Sequence, residues 1–134
     1  MSHFTKVKTK INNLNLLKQV LEDINIQFIE STAEQQISIN CFNNEKIDVQ
    51  MELKTGGKYS VGVVEAEDGT YEFVADWWGV EMYTELNEQQ YTNKIIQKYA
   101  YNSVMDKVRA KGYDFVQEEV DDKNNIHVVL RKWE

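Results

Sequence analysis

Proline is absent from the 134 residues, cysteine occurs once, histidine twice and arginine twice. Each shortage excludes something. A lone Cys41 allows no intramolecular disulfide and no cysteine-based zinc or iron–sulfur site. Two histidines, His3 and His127, stand too far apart in sequence to suggest a metal pair. The chain also lacks any apolar run near the roughly 20 residues needed to cross a bilayer, so no membrane insertion is expected. Its amino terminus carries neither the apolar core of a secretory signal nor the Arg- and Ser-rich bias of a transit peptide. No phosphate-cradling glycine motif is present, since Gly56-Gly57-Lys58 has neither the preceding Gly nor the following Ser or Thr of a P-loop. Likewise no Asp/Asn run matches a calcium loop.

Acid exceeds base, with 22 Asp plus Glu against 15 Lys plus Arg and a formal net charge of −7. Nucleic-acid backbones and anionic membranes reward clustered Lys and Arg, so the expected macromolecular partner is another protein. A homo-oligomer is also compatible with this composition. The missing proline, the Lys preference and the many asparagines fit an AT-rich genome, whether of an organelle or of a bacterium. A chain of this length buries about 68–70% of its unfolded surface and needs no metal or cofactor to fold. None is expected.

No linker or repeat divides the sequence, which reads as a single α+β domain spanning residues 1–134. Thr5, Val7, Thr9 and Ile11 alternate with lysines as in a strand. Asn12-Asn13 offers a helix cap, and Leu14, Leu17, Val20, Leu21 and Ile24 follow at helical spacing. Strand-like pieces come next, around Ile26–Phe28, Ile37–Cys41 and Ile47–Leu53. Two more, Tyr59–Val64 and Tyr71–Ala75, are joined by the hairpin signal Asp68-Gly69. Asn87 to Lys111 is the long helix, stopped by Gly112. A last hairpin pairs Tyr113–Val120 with Ile126–Trp133. The expected architecture is a mainly antiparallel sheet with two helices on one face. Its other face would then lie open for docking.

The densest concentration of unusual residues is Asp76-Trp77-Trp78-Gly79, placed just after a predicted strand. On extended backbone the two indoles would point to opposite faces, one into the core and one to a ligand or partner. Tyr99 and Tyr101 on the long helix lie about 200° apart around its axis, so only one can face the sheet. With Trp133 near the carboxyl end, Asp76, Trp77, Trp78, Tyr99 and Tyr101 form the candidate contact set for a ligand or partner. No catalytic or metal-ligating set emerges. Cys41 alternates with Ile37 and Ile39 as a buried hydrophobe would, and His127 has no obvious carboxylate partner in sequence. His3, third from the amino terminus, would suit copper or nickel only if Met1 were retained.

Five fragments in register carry a family resemblance: Met1-Ser2-His3-Phe4, Lys8-Thr9-Lys10-Ile11, Tyr71-Glu72-Phe73-Val74-Ala75-Asp76-Trp77-Trp78, Gln97-Lys98-Tyr99-Ala100-Tyr101 and Val128-Val129-Leu130-Arg131-Lys132-Trp133. The chain resembles, over essentially its whole length, the hypothetical chloroplast reading frame thirty-five family of plastid genomes and cyanobacteria. The resemblance implies a plastid stroma or cyanobacterial-type cytoplasm and supplies no reaction or catalytic residue. It leaves two expectations: a non-enzymatic accessory protein that binds another protein in assembly or regulation, or a small-molecule-binding domain or enzyme. In the second, Asp76, Trp77 and Tyr99 would line a pocket between the sheet and the long helix.

Overall fold

The computed structural model describes residues 4–132, with the side chains of 113–119 and 130–132 left aside. Five strands make the main antiparallel sheet: β1 (Thr5–Lys8), β2 (Phe28–Glu30), β5 (Met51–Leu53), β6 (Val61–Glu65) and β7 (Tyr71–Ala75), in the spatial order β1-β7-β6-β5-β2. Between β2 and β5 the chain makes a separate hairpin, β3 (Ile37–Asn40) with β4 (Lys46–Val49). A third antiparallel pair, β8 (Tyr113–Val120) and β9 (Ile126–Lys132), closes the order as a two-stranded ribbon. Three helices complete it: α1 (Leu14–Asp23), α2 (Trp77–Thr84) and α3 (Glu88–Ala110). The class is α+β.

Local signals explain most boundaries. Asn13 caps α1 by accepting from the Leu16 amide at 3.1 Å, satisfying one of the free donors of a helix start. Asn87 and Gln90 form a reciprocal capping box at the start of α3, and Gly112 leaves the helix at φ +85°. Gly69, also at φ +85°, turns β6 into β7 with Asp68 bonding the Thr70 amide.

All three helices bury side chains in one cluster with the sheet. Leu17 and Leu21 of α1, Trp77 and Val80 of α2, and Tyr91 and Ile95 of α3 meet one face of β5, β6 and β7. Phe73, with no exposed surface, lies within this cluster. The space between sheet and long helix is thus filled by side chains.

Three features depart from the sequence expectation. The residues 47–53 alternate as one strand, yet the chain bends at Gln50. Residues two apart share a face of a continuous strand, but Val49 belongs to a second cluster and Met51 to the main core. The bend lets one alternating segment serve two layers. Second, the face of the sheet opposite the helices is not open. Ile39 and Val49 of the β3–β4 hairpin pack there with Val74, flanked by Phe4, Ile37, Ile47 and Val64. Third, Trp77-Trp78 is not extended but begins a helix, α2, that periodicity could not reveal. This segment is apolar on nearly every side, so it shows no amphipathic stripe.

One buried group is out of balance. The Tyr91 hydroxyl finds no hydrogen-bond partner among the described residues, and burial pushes its ionisation well above the usual phenol range. An unmet buried polar group costs about 1–3 kcal/mol. Tyr91→Phe is therefore expected to raise stability by about 1 kcal/mol, visible as a Tm increase of a few degrees. A drop in Tm would show that the hydroxyl has an unseen partner.

Candidate functional site

Asp76 is the pivot of the region. It is 1% exposed and ends β7 as the N-cap of α2, with Oδ1 accepting from the Gly79 amide at 3.3 Å. Its Oδ2 accepts from the Phe42 amide at 2.8 Å and from the Cys41 thiol at 3.4 Å. One carboxylate therefore starts a helix and ties the turn after β3 to the end of the main sheet. Burial pushes the Cys41 thiol up, and the adjacent Asp76 carboxylate adds to that. Cys41 is buried and free.

The two indoles divide as a helix start dictates. Trp77 turns inward, 8% exposed, with its ring 5.9 Å from that of Tyr91. Its Nε1 donates to the Thr5 carbonyl at 3.0 Å, which fixes β1 against α2. Trp78 turns outward and is 51% exposed. Its ring meets that of Phe42 at 5.0 Å with an interplanar angle of 84°, an edge-to-face pair. Phe42 in turn lies 6.3 Å from Tyr59, and Tyr59 lies 6.4 Å from Tyr83. Met82, one helical turn beyond Trp78, is 55% exposed. Phe42, Trp78, Met82 and Tyr83 thus form a continuous exposed aromatic end, floored by the buried Tyr59.

Two glycines make that floor. A Cβ on Gly79 would sit 2.5 Å from the Tyr59 ring, and one on Gly57 would sit 2.2 Å from the Tyr83 ring. Real contacts are never so short, so both rings lie against bare backbone. Close packing at this end is achieved while four large apolar side chains stay in solvent. Scattered exposed hydrophobics need no explanation, but a contiguous group marks an interaction surface.

The remaining sequence candidates go elsewhere. Tyr99 accepts from the Asn13 amide at 3.2 Å and so joins α3 to the start of α1. Tyr101 is half-buried, with the Lys98 ammonium 4.8 Å from its ring centre. Asp76, Trp77 and Tyr99 therefore bond three different partners. Trp133 and His3 lie outside the described residues. The structure brings Trp78 together with Phe42, Met82 and Tyr83, none of which stood out in the sequence. A readable signal did exist. Phe42 is a lone aromatic in an Asn-rich turn, and Trp78 and Met82 are four apart.

His127 does have a carboxylate partner, contrary to the sequence reading. The β8–β9 turn folds back so that its Nε2 lies 2.9 Å from Asp121 Oδ2. This contact, with the Lys123 and Asn125 amides, holds the Asp121 carboxyl down at about 2. Because the folded value is depressed from 3.8, the stabilisation is complete above about pH 4 and is lost as pH falls through about 2. An NMR titration of the Asp121 carboxyl carbon should find that low midpoint, and His127→Ala should raise it. A midpoint near 3.8 in the unaltered protein would contradict the contact.

Among the described residues, no group of three or more His, Cys, Asp and Glu side chains is placed to hold a metal ion. No helix among them is long and apolar enough to cross a membrane. No solved structure matches the chain. Curated relatives do. The chain is 29% identical to the "Uncharacterized protein ycf35" of Pyropia yezoensis over 99% of its own length and 98% of the relative's. With the proteins of the same name from Guillardia theta and Cyanophora paradoxa it shares 30% and 31%, at the same coverage. These homologues are ycf35 proteins of plastid genomes. The family model described as "Protein of unknown function (DUF1257)" matches residues 20–129, and the chain belongs to that family.

Proposed function

We propose that the protein is a non-enzymatic accessory factor that docks another protein through the aromatic end formed by Phe42, Trp78, Met82 and Tyr83. One observation carries this reading: half-exposed aromatic side chains converge on a rigid base of buried Asp76, Tyr59 and Trp77. Trp, Tyr, Phe and Met are the residue types enriched where proteins meet. A surface built on a helix cap and sheet end pays little ordering entropy when it binds. The homologues' plastid origin supports a working place in the plastid stroma or a cyanobacterial-type cytoplasm. The net charge of −7 favours a protein over a nucleic acid there.

The test is a tagged chain expressed at native level in its own cells. The protein should elute in an assembly larger than itself. Phe42→Ser with Trp78→Ser should release it to monomer size, with Tm nearly unchanged because both side chains are half exposed. A wild-type protein that elutes as a lone monomer would remove the reading's support.

A further inference from the structure

We propose that the partner segment docked at this aromatic end is basic, setting Arg or Lys side chains against the Trp78 and Tyr83 rings and the carboxylates of Glu81 on α2 and Glu85 at its end. This rests on the docking reading and adds the chemistry of the partner. On the outer side of α2, Trp78, Glu81 and Met82 lie three and four positions apart and are all exposed, and the exposed Glu85 is the left-handed residue that ends the helix. Carboxylates therefore sit beside the apolar anchors, one on the helix and one at its end. Neither Glu81 nor Glu85 has an ion-pair partner among the described residues. Glu45 adds a third exposed carboxylate at the far end of the turn that carries Phe42. Lys58 also lies at this end, 5.8 Å from the Tyr59 ring centre.

Charge selects among occupants. A neutral apolar segment covering Trp78 and Met82 would strip water from Glu81 and Glu85 without compensation, which is costly. A phosphate backbone or anionic bilayer would meet these carboxylates with like charge. A second copy paired about a two-fold axis presents the same patch to itself, so its carboxylates would face their own equivalents. A basic segment removes each conflict. Guanidinium groups stack on indole and phenol faces and bind carboxylates through paired N–H donors. The surface thus offers both halves of an arginine site, ring and carboxylate, on one short helix and its C-terminal cap.

Three synthetic helical peptides of equal length test this, with identical leucine positions and with Arg, Ser or Glu at every other position. Binding is read by NMR from the Trp78 indole N–H and the Met82 methyl of the full chain. The Arg–Leu peptide should bind about tenfold or more tighter than the Ser–Leu peptide, and the Glu–Leu peptide weakest. Raising salt from about 50 to about 300 mM should weaken the Arg–Leu complex several-fold. Glu81→Gln with Glu85→Gln should remove most of the Arg preference while the same two signals still shift. Equal binding of Ser–Leu and Arg–Leu peptides, with shifts at Trp78 and Met82, overturns the basic chemistry but leaves the docking surface standing. No shift at either residue with any peptide overturns both. Concentration-dependent broadening of these signals without peptide overturns the proposal in favour of a second copy.

Discussion

Asp76→Ala is expected to lower stability by about 3 kcal/mol, the larger of two effects that test the architecture. The substitution removes the N-cap of α2, worth about 0.5–2 kcal/mol, and strands the amides of Phe42 and Gly79, which now donate to a carboxylate. Hydrogen bonds to a charged group contribute about 1.5–3 kcal/mol, and buried unmet donors add their desolvation cost. For a domain of this size the Tm should fall by about 10 °C. Asp76→Asn should not be silent. Donors approach both carboxylate oxygens, so an amide would turn its own N–H₂ toward one of them. A loss of about 1 kcal/mol or more is expected for Asn. Thermal unfolding checks both, and near-wild-type Tm in the alanine variant would show that the Phe42 turn does not depend on this carboxylate. The Trp78–Phe42 ring contact should loosen in parallel, visible in the Phe42 ring resonances.

Gly62→Ala is expected to destabilise by about 2 kcal/mol, although placing Ala for Gly in a strand usually helps. The reversal comes from the layer behind the sheet. A Cβ at Gly62 would lie 2.3 Å from Val49 Cγ1 and 3.1 Å from Ile39 Cδ1. Val49 is β-branched and stiff at χ1, so the β3–β4 hairpin must lift. Overpacking of this kind costs about 1–3 kcal/mol. Val49→Ala opens the space again, so the double variant should be more stable than the sum of the single losses by about 1 kcal/mol. Additive losses in chemical denaturation would show that the hairpin does not press on Gly62.

Both variants probe places where the sequence was only partly legible. Strand and helix positions with a strong local cause were readable: Asn13, Asn87, Asp68-Gly69 and Gly112 mark their boundaries through caps and turns whose chemistry is local. The layer formed by β3 and β4 was not, because the alternation of Ile47, Val49, Met51 and Leu53 is the same whether one strand serves one face or bends to serve two. Nor was α2, whose outward side carries Trp78, Met82 and Tyr83 as well as Glu81, so that no amphipathic stripe shows. That second miss governed the site. Extended backbone at Asp76-Trp77-Trp78 would separate the indoles across a sheet, whereas the helix start sends Trp78 out beside Met82. Phe42 reaches Trp78 from 36 positions away only because Asp76 binds its amide. Contacts of that range depend on tertiary pairing and leave no periodic trace. Tyr99 shows the converse: its spacing on α3 was plain, but that its hydroxyl accepts from the Asn13 amide at the start of α1 was not.

The proposed docking brings a partner to the Phe42–Trp78–Met82–Tyr83 end. Site-specific photo-crosslinking in native cells tests it most directly, with a photoreactive residue at Met82 and, for comparison, at Glu67 in the exposed β6–β7 turn. A discrete crosslinked species is expected from position 82 and none from position 67, with Lys- or Arg-rich sequence at the joined peptide of the partner. Equal crosslinking from both positions, no crosslink from 82, or a crosslink joining two copies of this chain would contradict it.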